Sequence, residues 1–362
     1  MIYAPFWTVN NFKYDNQFFA WINAKKQNTY PEFHFFEESY DLLDWTKEPK
    51  TSWYDLCVHR CQQLRDKYKT LSLLYSAGRD SDHILQLFYT SGIKLDQIIL
   101  LEYINNSERM QQLRDYIIPR TKLFLQQYPE TRVLSFRIDE DLYKKYFTDD
   151  WLEKSNTSLQ CGYFQPTAMS YYTENLLRAD PTHGVVTGAD KPRIVLENNK
   201  LYSTVLDKTF EVHLSHLPNH EMFYFTPDLP ELHLKQSWLT VNHLLTNHLD
   251  KLNAEFLIEY CGNSHSVYYD DFCIACGRGP GWNPNLSIQN GTSKYKLSGR
   301  EPWFQKLLQR ALDNKWSSAL NFTYAMSYIG NNYTDIFNKG DPYLGTIGVY
   351  GKKYFMKELF RA

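Results

Sequence analysis

The chain has 362 residues, 43% hydrophobic and 22% charged, a globular composition that excludes bulk disorder and suits one large domain or two modest ones. Sparse Gly (16) and Pro (15) exclude collagen-like or linker-like chains, whereas 28 Tyr, 22 Phe and 9 Trp require ring packing with partners for hydroxyl and indole groups. A net charge of −2 excludes a global basic field for nucleic acid and leaves a local patch open. No run approaches the ~18 apolar residues of a membrane span. The first seven residues lack the pattern of a signal peptide, and six cysteines do not make a disulfide scaffold. A soluble, cytoplasmic chain with reduced thiols and no membrane partner is expected.

Residues 1–68 are expected to form a small N-terminal element. Within it, Leu56, Val58, Cys61, Leu64 and Tyr68 predict a helix over 53–68, with Arg60, Arg65, Asp66 and Lys67 on its wet side. The apolar run 71–75 predicts a buried strand, 76–81 a turn and 82–89 a helix. Strands follow at 97–103, 132–138 and 183–188. Between them, helices are expected at 110–128, bent at Pro119, and at 159–177 around Pro166. This alternation predicts an α/β fold, a parallel sheet with helices on both faces, over 69–215. Beyond 215 the alternation is expected to stop. Residues 216–362 then read as a largely helical region: Pro218, Pro227 and Pro230 break the chain, a helix spans 238–257, a Gly/Pro loop follows at 277–284, and 301–328 is mainly helical.

The segment Ser76-Ala77-Gly78-Arg79-Asp80-Ser81 carries the most chemistry. A turn between a buried strand and a helix aims free backbone N–H groups outward at the positive end of the helix dipole, which makes an anion site. Gly78 allows close backbone approach, and Ser76 and Ser81 add hydroxyls. Asp80 repels a phosphate unless a cation such as Mg²⁺ lies between them. The plain alternative is a βα loop whose Ser and Asp cap the helix.

This segment resembles the Ser-Gly-Gly-x-Asp-Ser pyrophosphate loop of the PP-loop ATP pyrophosphatase superfamily, the adenine nucleotide alpha hydrolase-like proteins. It departs from it at Ala77, where a Cβ is expected to crowd the phosphates. Val185-Val186-Thr187-Gly188-Ala189-Asp190-Lys191, at the end of the 183–188 strand, resembles the asparagine-synthetase-type Gly-x-Gly-x-Asp-Glu loop at Gly188 and Asp190, with Lys191 in place of the acid. Residues 225–236 resemble segments of short asparagine-synthetase-like proteins, with Lys235 as the candidate charge facing the α-phosphate. Each has a plain alternative, a strand-end turn and a solvated Lys respectively.

The resemblance implies ATP as substrate. Ser76, Ala77, Gly78, Arg79, Asp80, Ser81 and Gly188 would hold pyrophosphate, Asp80 and Asp190 would hold Mg²⁺, and Asp80, Asp190, Lys191 and Lys235 would be catalytic. It implies an AMP-forming synthetase that adenylates a carboxylate or carbonyl oxygen and passes it to ammonia or an amine. Ile2 stands where a glutamine-dependent synthetase has its Cys, and some 70 residues are too few for a glutaminase domain. The alternatives are a tRNA- or nucleobase-modifying enzyme of the superfamily and a nucleotide-binding module without catalysis.

Cys261, His265, Cys273 and Cys276 have spacings compatible with a Zn²⁺ site, a sulfur relay or incidental thiols. Cys57 and Cys61, at i and i+4, read as core. His213, His216 and His220 straddle Pro218 and make a weak metal candidate. Arg109, Arg114, Arg120 and Lys122 read as a solvated helix face, with an RNA-contacting patch as the alternative. Residues 345–352 lack the spacing of a Walker A loop.

Overall fold

The computed structural model describes residues 5–15, 17–104, 107–139, 141, 173, 175–188, 191–207, 217–262, 267–278 and 349–359. The expected helices at 159–177 and 301–328 lie wholly or mostly outside these residues.

The N-terminal element is an antiparallel sheet, β1 (Phe6–Val9), β2 (Phe12–Tyr14) and β3 (Glu32–His34), in the order β2-β1-β3, with α1 (Gln17–Lys26) between β2 and β3. Asn10 and Asn11, at φ 47° and 69°, close the β1–β2 hairpin. Two left-handed residues are what a two-residue hairpin loop needs, and Asn tolerates that region. α2 (Glu37–Tyr40) and α3 (Trp53–Lys67) follow. Ser52 caps α3, its Oγ accepting the Asp55 N–H at 3.1 Å. Cys57 and Cys61 are core residues, fully buried. Arg60 is a correction: it is buried, not on the wet side, and its guanidinium donates to Glu221 at 2.6 Å.

The central sheet comprises β4 (Thr70–Leu74), β5 (Gln97–Tyr103), β6 (Arg132–Ile138), β7 (His183–Thr187) and β10 (His220–Met222). Their order is β10-β7-β4-β5-β6 and every pairing is parallel. The four expected strands are present. The fifth, β10, lies beyond residue 215, where alternation was expected to stop. It is three residues long, and its buried Glu221 meets Arg60 and Lys67.

Neighbouring residues of the inner strands belong to different apolar clusters. Leu73, Ile98 and Val186 join the main core, whereas Leu74, Ile99 and Val185 join a second cluster with Leu177 and Leu217. Side chains alternate across a strand, so both faces of the sheet are covered, as a parallel sheet requires.

α4 (Arg79–Ser91) starts three residues earlier than expected. The expected 110–128 helix is interrupted: α5 (Ser107–Gln112) passes through a π turn (Leu113–Ile117) into α6 (Ile118–Gln127). Pro119 lies just past the π turn within a continuous helical stretch, where the ladder of backbone hydrogen bonds is already displaced. A second antiparallel sheet, β8 (Arg193–Glu197), β9 (Lys200–Thr204) and β11 (Tyr354–Glu358), has the order β11-β9-β8. Asn198 and Asn199, at φ 49° and 60°, close its hairpin just as Asn10 and Asn11 close the first. The expected 238–257 helix is two helices, α7 (Glu231–Asn247) and α8 (Ala254–Gly262), and α9 (Tyr269–Ala275) follows. Among the described residues, no helix is long and apolar enough to cross a membrane.

Candidate active site

From β4 the chain steps to β5 and β6 on one side, then returns to β7 and β10 on the other. The sheet therefore changes winding direction between β4 and β7. The carboxyl ends of the two strands at such a switch point are where open α/β sheets form ligand crevices. The Ser76–Ser81 segment leaves β4 at this point, and Gly188 and Lys191 leave β7.

Gly78 is the N-cap of α4, extended at φ −69° and ψ 159°, with no side-chain cap. The serines brace the loop instead. Ser76 Oγ accepts the Gly78 N–H at 3.3 Å, and Ser81 Oγ accepts the Ser76 N–H at 3.2 Å. Ser76 is exposed, Gly78 and Asp80 are half-buried, and Arg79 and Ser81 are buried, so solvent reaches the corner mainly at Ser76 and Gly78. The first turn of α4 thus presents its dipole, about half a positive charge, without a side-chain cap.

Ala77 corrects one expectation. Its side chain is buried in the main core rather than aimed at the corner. Its cost is backbone strain: φ is 53°, which is worth about 1–2 kcal/mol for a residue with a Cβ. Gly188 lies against the first turn of α4. A Cβ there would stand 3.0 Å from the Asp80 carbonyl carbon and the Ser81 nitrogen, so only glycine lets the two loops approach this closely.

Two cations meet Asp80. Lys191 Nζ lies 3.1 Å from Oδ2, and Arg278 Nε lies 2.7 Å from Oδ1. Both cations are buried, and Asp80 is half-buried. The Arg278 guanidinium also sits 3.8 Å above the Tyr224 ring. The Tyr224 hydroxyl donates to the Asp80 carbonyl at 3.0 Å and lies 2.8 Å from His83 Nδ1. Trp53 stacks on both His83 and Tyr224. Enclosure by its neighbours, aided by the charge of Arg278, pushes the His83 imidazole down to about 3, so it is neutral at pH 7.

Arg278 is delivered by the end of α9. Gly277, at φ 76°, turns the chain: its N–H donates to Ile274 and the Arg278 N–H donates to Cys273, the Schellman pattern. The indole N–H of Trp53 donates to the Gly277 carbonyl at 3.0 Å, and a Cβ at 277 would stand 2.5 Å from that nitrogen. Next to the corner, Arg79 is buried and pairs with Asp270 at 2.8 Å. Asp82 turns inward to the Tyr75 hydroxyl and Arg120. Arg120 is thus buried rather than solvated, whereas Arg114 and Lys122 are exposed as expected.

No protein-family model and no curated protein matches the chain.

Both Asp80 oxygens face cations. A Mg²⁺ ion on this carboxylate would be repelled by Lys191 and Arg278, so Asp80 does not fit a magnesium ligand in this arrangement. Asp190 lies outside the described residues. Positive charge at the corner comes from Lys191, Arg278 and the start of α4.

Other expected site residues lie elsewhere. Lys235 is buried in α7, where it donates to Glu48 at 2.6 Å and to the Pro49 carbonyl at 2.9 Å. Its contacts lead to the N-terminal segment, not to the corner. Cys261, Cys273 and Cys276 are buried free thiols that do not converge on one point. Cys276 Sγ lies 3.3 Å from Thr240 Oγ1, and burial pushes its thiol up to about 12. Burial also raises the Cys273 thiol, against the pull of Lys191, which makes it a poor nucleophile. The expected zinc set therefore does not form from these three, and its fourth member, His265, lies outside the described residues. His213 and His216 also lie outside them, and His220 contacts Thr187. Among the described residues, the His, Cys, Asp and Glu side chains that do converge are His243, His248 and Asp271.

Proposed function

We propose that the chain is an ATP-dependent, AMP-forming ligase of the PP-loop kind, passing an adenylated carboxylate or carbonyl oxygen to ammonia or an amine. One observation carries the proposal: the start of α4, without a side-chain cap, lies where the sheet changes winding direction, with Lys191 and Arg278 beside it. ATP arrives with its terminal phosphates over the first turn of α4, within reach of the N–H groups and the Ser76 hydroxyl. The substrate oxygen attacks the α-phosphorus, a P–O bond forms, and the bond to the bridging α–β oxygen breaks. Pyrophosphate takes that electron pair, and its growing charge is stabilised by Lys191, Arg278 and the helix dipole. Asp80 keeps the two cations in place before ATP arrives. An amine then attacks the activated carbon, releases AMP and loses a proton. Holding the reactants in line supplies much of the rate.

The internal neutralisation of Asp80 favours a second reading, a module that binds ATP without cleaving it. Both are tested by following AMP and pyrophosphate from ATP in the presence of amino acids, nucleosides or tRNA. The ligase yields equal amounts of AMP and pyrophosphate with one acceptor class, and Ser76→Ala lowers the rate at least about tenfold. ATP binding with no cleavage under any condition selects the module. Absence of ATP binding refutes both.

A further inference from the structure

Three donor side chains converge away from the corner. His243 belongs to α7, His248 follows the end of that helix, and Asp271 belongs to α9. His243 Nε2 lies 3.0 and 3.1 Å from the two Asp271 oxygens, and His248 Nε2 lies 2.8 Å from Oδ2. All three donor atoms fall within 4.8 Å of one another. We propose that His243, His248 and Asp271 bind one first-row divalent transition metal ion of the zinc type, which clamps α9 to α7.

A tetrahedral ion with bonds of about 2.0–2.2 Å places neighbouring donors roughly 3.3 Å apart. The observed separations from nitrogen to oxygen need only a few tenths of an ångström of opening. The metal would replace the two imidazole protons now directed at the carboxylate. Two imidazoles and one carboxylate suit zinc, cobalt or iron(II), whereas magnesium and calcium favour all-oxygen shells.

The surroundings support the same choice. The Tyr260 hydroxyl donates to Asp271 Oδ2 at 2.7 Å and orients the carboxylate. Rings of Phe256, Tyr260 and Tyr268 pack around His248 and restrict solvent on that side. Side-chain exposures of 21% for His243 and 36% for Asp271 leave an opening for water as fourth ligand.

The clamp has a consequence for the corner. Asp270, beside Asp271, holds Arg79, and the turn that ends α9 supplies Arg278 to Asp80. A metal at this site would fix the segment that brings the cations and their partners together. The proposal does not depend on the ligase reading, because its test uses no ATP.

The test is titration of the full chain, stripped by chelator, with Zn²⁺, Co²⁺ or Mg²⁺. Calorimetry, melting temperature and the visible spectrum of bound Co²⁺ are the readouts. The expected result is one Zn²⁺ per chain, a concentration-dependent rise in melting temperature, and a Co²⁺ spectrum of four-coordinate type. Mg²⁺ produces neither binding nor a rise. His243→Gln and Asp271→Asn each weaken Zn²⁺ binding more than about tenfold. Equal Zn²⁺ binding by wild type and the His243→Gln/His248→Gln double variant overturns the proposal. If the variants do not fold, histidine modification of the wild type decides: Zn²⁺ shields His243 and His248 from acylation, and unchanged labelling of both overturns it.

Discussion

Replacing Asp80 by Asn removes one charge and little volume. Two buried cations, Lys191 and Arg278, then lose the carboxylate charge they share. Removing one partner of a buried ion pair costs about 3–5 kcal/mol. The Asp80 side chain is 18% exposed, so water screens part of the loss and about 3 kcal/mol is the expected value. That is roughly a hundredfold in the folding equilibrium. A polyanion supplies the missing charge: pyrophosphate at a hundred times its dissociation constant returns about 2.7 kcal/mol. Urea unfolding with and without pyrophosphate measures both effects. The expected result is a large loss for D80N and a pyrophosphate gain larger than that of the wild type. A loss below about 0.5 kcal/mol, or weaker pyrophosphate binding by the variant, refutes the counter-ion role and returns Asp80 to metal binding.

Gly277→Ala places a Cβ at positive φ against the Trp53 indole, so it loses about 2–4 kcal/mol in urea unfolding and weakens pyrophosphate binding through Arg278. Wild-type stability at Gly277→Ala would contradict the delivery of Arg278 by this turn. Ala77→Gly changes ATP turnover less than about twofold in a steady-state assay, because the methyl group lies in the core; relief of about 1–2 kcal/mol of strain is largely offset by lost burial and unfolded-chain entropy, about 1 kcal/mol each. Burial pushes His233 down to about 3, against about 6.5 when unfolded, so the unfolded chain binds the proton first. Its stabilisation is complete above pH 6.5 and declines as pH falls, by about 2 kcal/mol at pH 5. The pH dependence of unfolding should flatten over this range in His233→Gln.

The sheet was legible where apolar runs are strong: Leu71 to Leu74, Ile98 to Leu101 and Val185 to Val186 signal buried strands without help. β10 carries His220, Glu221 and Met222, and its buried Glu221 is matched by Arg60 and Lys67, far away in sequence. Long-range ion pairing has no local periodicity to reveal it. The two antiparallel hairpins did carry a local signal, the Asn10-Asn11 and Asn198-Asn199 pairs, each flanked by strand residues. At the corner, Ser76, Gly78, Asp80 and Ser81 were readable as a strand–turn–helix. Gly277 was readable only as the start of a Gly/Pro loop, because no helix was expected just before it. Arg278, Tyr224, His83 and Trp53 were not, because their roles follow from tertiary contact: a Schellman turn, a cation over a ring and a stack of three rings. Lys235 shows the converse, a residue placed by local resemblance whose contacts are with Glu48.

The claim that the turn after β4 holds the departing diphosphate is tested most directly by amide resonances of ¹⁵N-labelled protein during pyrophosphate titration. The account predicts saturable shifts at Gly78, Arg79, Asp80 and Ser81, lost in Ser76→Ala at the same concentrations. Saturation of binding with those four resonances unmoved would contradict it.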